Sequence, residues 1–360
     1  MKYRSSLLLA GEDVQSAGTK VIDIDIQSPI SALDIKFKVT RGSDTHVAGV
    51  PALLPKIEIV DGAKVLYSAN GYLNQALGYY NRPTRQLEHG QVITANSEVG
   101  IFPIDFGRFL WDEKLAFDPR KFTNPQLRIT HSELATDASA SANELEVMAH
   151  IFDEKVVTPF GFLAAMLHHD YTCGADNSFE PIALPDDRLI RQILVRAFYE
   201  GYEPWYNIDE ARLDENTLGN IVFDETNLEE YFRRMQAYWT PIQIYHIWNI
   251  TTTVGYKYIP QTNYWAGVVG TTHSHTTAGN LQVNPARGGK IGLDAEAAGE
   301  WGAMSHGYLP WHCYQFPMGK QGDPDDWYDP LGKKPRLRLR ASTGGTSVTG
   351  QVLLEELIRY

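Results

Sequence analysis

His273 and His275 are the residues best spaced for chemistry. They stand in the stretch GVVGTTHSHTTAGN at 267–280, with five residues between Gly267 and His273. On a strand, residues i and i+2 face one side, so both imidazoles could grip one metal ion. A catalytic metal needs a third ligand, and a carboxylate after three or four intervening residues would supply it. Gly279 and Asn280 stand there instead. His168 and His169 are adjacent, at the end of an amphipathic segment read as a helix. Neighbours on a helix point about 100° apart and share a ligand poorly, so a role at the C-terminal dipole fits them better. The acids of DPDDWYD at 323–329 offer oxygen ligands of the kind calcium takes, without the EF-hand spacing or its glycine. They read as an acidic turn in solvent, with a weak calcium site at a subunit contact as the sharper alternative. Arg336, Arg338 and Arg340 alternate with Leu337 and Leu339, which puts three guanidinium groups on one face of a strand. That face could meet phosphates or lipid headgroups. An interface or solvated face that discourages edge-to-edge pairing is the simpler reading. There is no G-x-S-x-G, P-loop, dinucleotide fingerprint or H-E-x-x-H. No catalytic, cofactor-binding or metal-binding residue is assigned.

The whole chain argues the same way. It has 360 residues, enough for two domains, and 43% are hydrophobic, enough for sizeable cores. Its net charge of −12 repels phosphate backbones, so specific nucleic-acid binding is not expected. Cys173 and Cys313 are the only cysteines and make neither a disulfide framework nor a zinc spacing. The apolar run near the start, at 7–10, is too short for a signal peptide's core. A soluble protein made in cytosol is expected.

The elements that must carry these residues come in duplicate. FPIDFGRFLWDEKLAFDP at 102–119 and FPMGKQGDPDDWYDP at 316–330 both open on Phe-Pro. Both continue through a glycine and a Trp beside an Asp, and both close on Asp-Pro. KVLYSANGYLNQALGYY at 64–80 meets NIVFDETNLEEYFRRM at 220–235, each a strand, a turn and a short helix. Leu73, Ala76, Leu77 and Tyr80 form a helical stripe, repeated 155 residues later by Leu228, Tyr231, Phe232 and Met235. Asn227 with Glu230 suits a helix N-cap and its N3 partner. NPQLRIT at 124–130 matches KPRLRLR at 334–340, and each half then runs through a small polar loop into a last apolar strand. The segment 187–201 opens the second half and reads as strand because its counterpart, which alternates through Ile22, Ile24 and Ile26, is one. The second half carries an insertion at about 245–305, read as a large loop.

The pattern predicts an all-β chain of two tandem eight-stranded jelly rolls with short helices in loops. The expected boundaries are 18–152 for the first roll, 153–187 for a linker with a short helix, and 188–360 for the second roll. Residues 1–17 read as a short arm.

These motifs resemble the double jelly-roll major capsid proteins of tailless icosahedral viruses, the lineage that includes membrane-containing phages. The resemblance covers most of 18–360 and rests on the two strand-helix segments and the two Phe-Pro segments. It implies a non-enzymatic, cofactor-free structural protein whose homotrimers form pseudo-hexagonal capsomers tiling an icosahedral shell. It also implies neighbouring capsomers, penton and minor capsid proteins as partners, an internal viral membrane as a further one, and a place in the virion after synthesis in host cytoplasm. The arm at 1–17 would reach that membrane or a neighbour, and the insertion would rise as a tower. The chain's 19 Tyr and 8 Trp suit large contact surfaces. Trp205, Tyr206, Tyr256, Tyr258, Tyr264 and Trp265 are placed in loops.

Two other readings share the fold. A bicupin-like metalloenzyme would use His273 and His275, although the cupin glutamate and the later P-x-G-x-x-H pattern are missing. A carbohydrate-binding jelly-roll protein would use exposed aromatics. Fold alone does not separate the three.

Overall fold

The computed structural model describes residues 2–14, 17–40, 49–82, 88–92, 97–132, 143–199, 202–216, 219–250, 254–271, 282–286, 290–294, 299–344 and 348–360. The first half runs β1 (Tyr3–Asp13), β2 (Gly18–Asp23), β3 (Ile30–Thr40), β4 (Lys56–Asp61) and β5 (Lys64–Ala69). Helix α1 (Gly71–Asn81) follows, then β6 (Glu88–Val92), β7 (Ser97–Asp105), β8 (Pro125–His131) and β9 (Glu144–Phe152). The second half runs β10 (Gly161–Thr172), β11 (Phe179–Ala183), β12 (Ile190–Ala197), β13 (Ile208–Glu215), β14 (Asn220–Glu225) and α2 (Leu228–Met235). Next come β15 (Ile242–Ile250), β16 (Val254–Tyr258), β17 (Thr262–Thr271), β18 (Gln282–Ala286), β19 (Lys290–Asp294) and β20 (Gly299–Tyr308). The chain ends on β21 (Cys313–Pro317), β22 (Arg336–Ala341) and β23 (Thr349–Arg359).

Set aside β6 and the inserted β15–β20, and each half has eight strands in one order. The first pairs β1-β9-β3-β7 in one sheet and β2-β8-β4-β5 in the other. The second pairs β10-β23-β12-β21 and β11-β22-β13-β14. Each is a jelly roll. Even the irregularities repeat. A register shift falls between Leu7 and Leu9 in β1 and between Leu167 and His169 in β10. Another falls between Ile30 and Ala32 in β3 and between Ile190 and Gln192 in β12. A third falls between Ile59 and Val60 in β4 and between Leu213 and Asp214 in β13. Bulges bend and twist a strand locally, so the two rolls share their curvature as well as their strand order.

Several expectations need correction. Residues 3–13 are no free arm: β1 pairs with β9 along its length, so the first roll starts before 18. The linker helix is strand β10. Phe162, Leu163, Met166 and Leu167 fit a helical stripe, but 161–165 is buried at every position, and a short apolar run buried on both faces satisfies either pattern. The second roll therefore begins at Gly161, and β11, read as loop, is its second strand. Pro181 is tolerated there because β11 lies at a sheet edge. The described residues of the insertion form not a loop but six strands. Three of them, β15, β20 and β17, extend the first roll's sheet beyond β6. Tyr256 and Tyr258 accordingly lie on β16, and Tyr264 and Trp265 on β17.

Both helices form where their caps and stripes predict. Asn70 Oδ1 accepts from the Leu73 amide at 2.9 Å to start α1. Asn227 Oδ1 accepts from the amides of Glu229 and Glu230 at 3.0 and 3.1 Å to start α2. Glu229 and Glu230 in its first turn and Arg233 and Arg234 in its last suit the helix dipole.

Candidate functional site: the seam between the rolls

The two rolls are not beads on a string. β5 runs parallel to β10, bridged at Ser68 and Met166, and β6 runs parallel to β15 at Gln91–Ile247 and Val92–Trp248. The first roll's core extends across the seam to take in Leu194, Cys313, Leu353 and Ile358 from the second half. The Cys313 thiol is pushed up to about 12 by that burial, so it is an inert packing group.

Helix α1 lies in the seam and is polar where it meets the second roll. Asn81 Nδ2 donates to Glu355 Oε1 at 2.9 Å, while its Oδ1 accepts from Arg191 at 2.6 Å and Gln192 at 2.9 Å. Arg191 and Gln192 also donate to Glu355 Oε2 at 2.7 and 2.6 Å. At the other end of the helix, Asn70 donates to Gln351, which also accepts from Arg196. The Arg196 guanidinium lies 4.1 Å from the centroid of the Tyr72 ring. Burial lowers the Arg196 pKa, against the favourable field of Tyr72 and its neighbours. Trp311 Nε1 donates to Gln75 at 2.8 Å, and Tyr80 Oη to the Cys313 carbonyl at 2.6 Å. These partners satisfy a polar layer that burial alone would make costly. Charge-assisted contacts of fixed geometry set one orientation between the rolls.

The repeated Phe-Pro segments form corresponding corners at one end of each roll. Phe117 bridges to Ile30, and Tyr328 bridges to Ile190. The Asp that follows each then caps a turn: Asp118 Oδ1 accepts from the Arg120 amide at 3.2 Å and Asp329 Oδ1 from the Leu331 amide at 3.0 Å. The corners touch. Arg108 pairs with Asp112 at 2.6 Å and donates to the Gly322 carbonyl at 2.8 Å. Burial would raise the Asp112 carboxyl, but Arg108 and backbone amides hold it below the usual carboxylate range.

The predicted chemistry is mostly turned to structure. His273 and His275 lie outside the described residues. His168 and His169 sit on β10, not on a helix, with their Nε2 atoms 2.8 Å from the Ala183 carbonyl and 3.0 Å from Glu180. In the 323–329 acids, Asp326 accepts from the Lys320 amide and Asp323 from the Asp325 amide, so these carboxylates cap turns. Among the described residues no three His, Cys, Asp or Glu side chains are grouped to hold a metal ion. Arg338 pairs with Asp214 at 2.8 Å, and Arg340 with Asp209 and Glu210 at 2.7 and 2.9 Å. The arginine face is thus matched by acids of the neighbouring strand. The sequence reading missed the seam. Its signal was there: Glu355 and Glu356 interrupt an apolar strand, and Arg191 and Arg196 interrupt another.

A cavity of about 450 Å³ opens beside the seam, lined by Tyr79, Tyr80, Met235, Tyr238, Trp239 and Gln315 among others. Tyr79 Oη donates to the Thr240 carbonyl across it.

Two rolls of one order, locked side by side, define a double jelly roll. No family model matches the chain, and no curated protein matches it. Solved structures do. The major capsid protein P2 of bacteriophage PM2 aligns with a TM-score of 0.57 and 12% identity, over 99% of this chain and 98% of that one. The major capsid protein of Sulfolobus Turreted Icosahedral Virus aligns at 0.57 and 10%, over 100% and 97%. VP54 of PBCV-1 aligns at 0.59 and 10%, over 99% and 93%. At these identities the likeness is one of fold.

Proposed function

We propose that this chain is a structural major capsid protein, not an enzyme. Three copies form a pseudo-hexagonal capsomer that tiles an icosahedral shell. One observation carries the reading: the alignment with the PM2 capsid protein runs through both rolls, leaving 1% of this chain and 2% of that one uncovered. The rigid polar seam supports it, since a tile must hold its two halves in fixed orientation. The chain then works in the virion after synthesis in the host cytoplasm, beside neighbouring capsomers, penton and minor capsid proteins, and over an internal membrane where the virus has one.

Light scattering behind a sizing column, with and without chelator, tests this. The expected result is a particle of three times the 40.5 kDa chain mass, indifferent to chelator. A monomer or dimer carrying stoichiometric transition metal would overturn it and return His273 and His275 to the centre.

A further inference from the structure

The cavity beside the seam is walled mostly by rings. Tyr79 and Tyr80 come from the last turn of α1, Met235 from the end of α2, and Tyr238 and Trp239 from the turn that closes α2. Tyr79 and Tyr80 have centroids 5.0 Å apart at 67°, and Tyr80 and Trp239 5.7 Å apart at 52°, so the rings make a corner rather than a stack. Tyr238 stands at the rim. At 81% exposure it is the most exposed aromatic side chain among the described residues.

The polar heads of these walls are already spent inside the protein. Tyr79 Oη donates to the Thr240 carbonyl, and Tyr80 Oη to the Cys313 carbonyl. Trp239 Nε1 donates to Gln315 Oε1 at 3.1 Å, and Gln315 Nε2 to Gln192 at 2.6 Å. Gln321 Nε2, on the corner loop, is shared between the Arg191 and Gly319 carbonyls. A sugar or an anion is held by donors, and these side-chain donors are taken. What remains is ring surface.

The surroundings favour positive charge. The faces of aromatic rings are electron-rich. Both helices bring their C-terminal turns, the negative ends of their dipoles. No described lining residue carries a charge. The basic groups nearby are engaged or lie outside the wall. Arg82 pairs with Asp105, Arg191 with Glu355, Arg233 with Glu229 and Arg234 with Glu225, and Lys320 is exposed on the corner loop. The chain's net charge of −12 draws cations toward it.

We propose that this cavity binds an alkylated ammonium group, caged by Tyr79, Tyr80, Trp239 and Tyr238. Methyl groups on the nitrogen suit apolar walls and need no hydrogen-bond acceptor, whereas a bare metal ion needs oxygen or nitrogen ligands. The volume of about 450 Å³ leaves room for the chain that bears the group. A free small cation and the choline headgroup of a lipid share this chemistry. The inference stands apart from the capsid reading and does not depend on it.

Titration calorimetry of the whole chain at constant ionic strength tests it. The probes are choline and its neutral isostere, in which a tert-butyl group replaces the trimethylammonium. Choline should bind at least about tenfold more tightly than the isostere. Tyr238→Ala should lose about tenfold, and Tyr238→Phe, which keeps the ring, should retain most of the affinity. Because Tyr238 is so exposed, both variants should keep the parent's circular dichroism spectrum. No heat from choline, or equal binding of the two probes, would overturn the proposal. A Tyr238→Ala variant that binds like the parent would overturn the placement in this cavity. Vesicle flotation separates the sources. Flotation with phosphatidylcholine but not phosphatidylglycerol, lost in Tyr238→Ala, would assign a lipid headgroup. Choline binding without flotation would assign a free ion.

Discussion

Asn81, in the last turn of α1, and Glu355, on β23, lie 274 positions apart in sequence and 2.9 Å apart in space. Asn81 also accepts from Arg191 and Gln192, so one amide closes a four-residue buried network between the rolls. Asn81→Leu keeps the bulk and removes every one of these contacts. Groups left without partners in a buried site cost about 1–3 kcal/mol each before relaxation. Arg191 and Gln192 keep Glu355 as a partner, so the loss falls mainly on Glu355 Oε1, and we expect about 1–3 kcal/mol in urea unfolding and faster proteolysis between the rolls.

Arg196 offers a contrast in kind. Its guanidinium stacks on Tyr72 while donating to Gln351 and to the Trp311 carbonyl. A lysine keeps the charge but not the planar fork. Arg196→Lys should cost about 1–3 kcal/mol, and a variant as stable as the parent would show that charge alone matters there.

Two carboxyls should respond to pH in opposite senses. Asp112 is held below its ordinary value in the folded state. Its contribution is therefore complete above about pH 4, the unfolded value, and is lost as pH falls through the depressed folded value. Asp112→Asn should lower stability at neutral pH and flatten the acid limb of the curve. Burial raises Glu356, with Arg188 pulling the other way at 3.1 Å. A raised folded value favours the protonated form, so its contribution is present at low pH and fades as pH rises. Glu356→Gln should therefore hold or gain about 1 kcal/mol at neutral pH. Equal losses in both variants would contradict the assignment.

Gly161 opens β10 opposite Arg359 of β23. A Cβ there would stand 2.3 Å from the Ile358 carbonyl oxygen. Backbone cannot yield as a side chain does, so Gly161→Ala should cost about 2–3 kcal/mol. Differential scanning calorimetry would read it.

The sequence carried the duplication because turn and cap residues recur where the folds demand them. Asp118 and Asp329 each precede a proline and each cap the same corner, and the stripes through Leu73 and Leu228 each face a core. What stayed hidden was strand β10. Gly161–Ala165 is covered on both faces, by its own roll and by the first, so its apolar run carries no period of two. The edge strand β1 was missed for the opposite reason: much of it is exposed, and SSLLLAG shows no alternation. The seam needed three dimensions, since Asn81 looks like any helix-terminal asparagine until Arg191 and Glu355 arrive.

The first roll's core includes Leu194, Cys313, Leu353 and Ile358, and β23 follows every other strand in chain order. A ribosome therefore makes all of the first roll before it makes the residues that finish that roll's interior. Until β23 emerges, β10 has only β5 beside it and its other edge stays open, a template for the wrong neighbour. The rolls look like two modules, yet they mature as one.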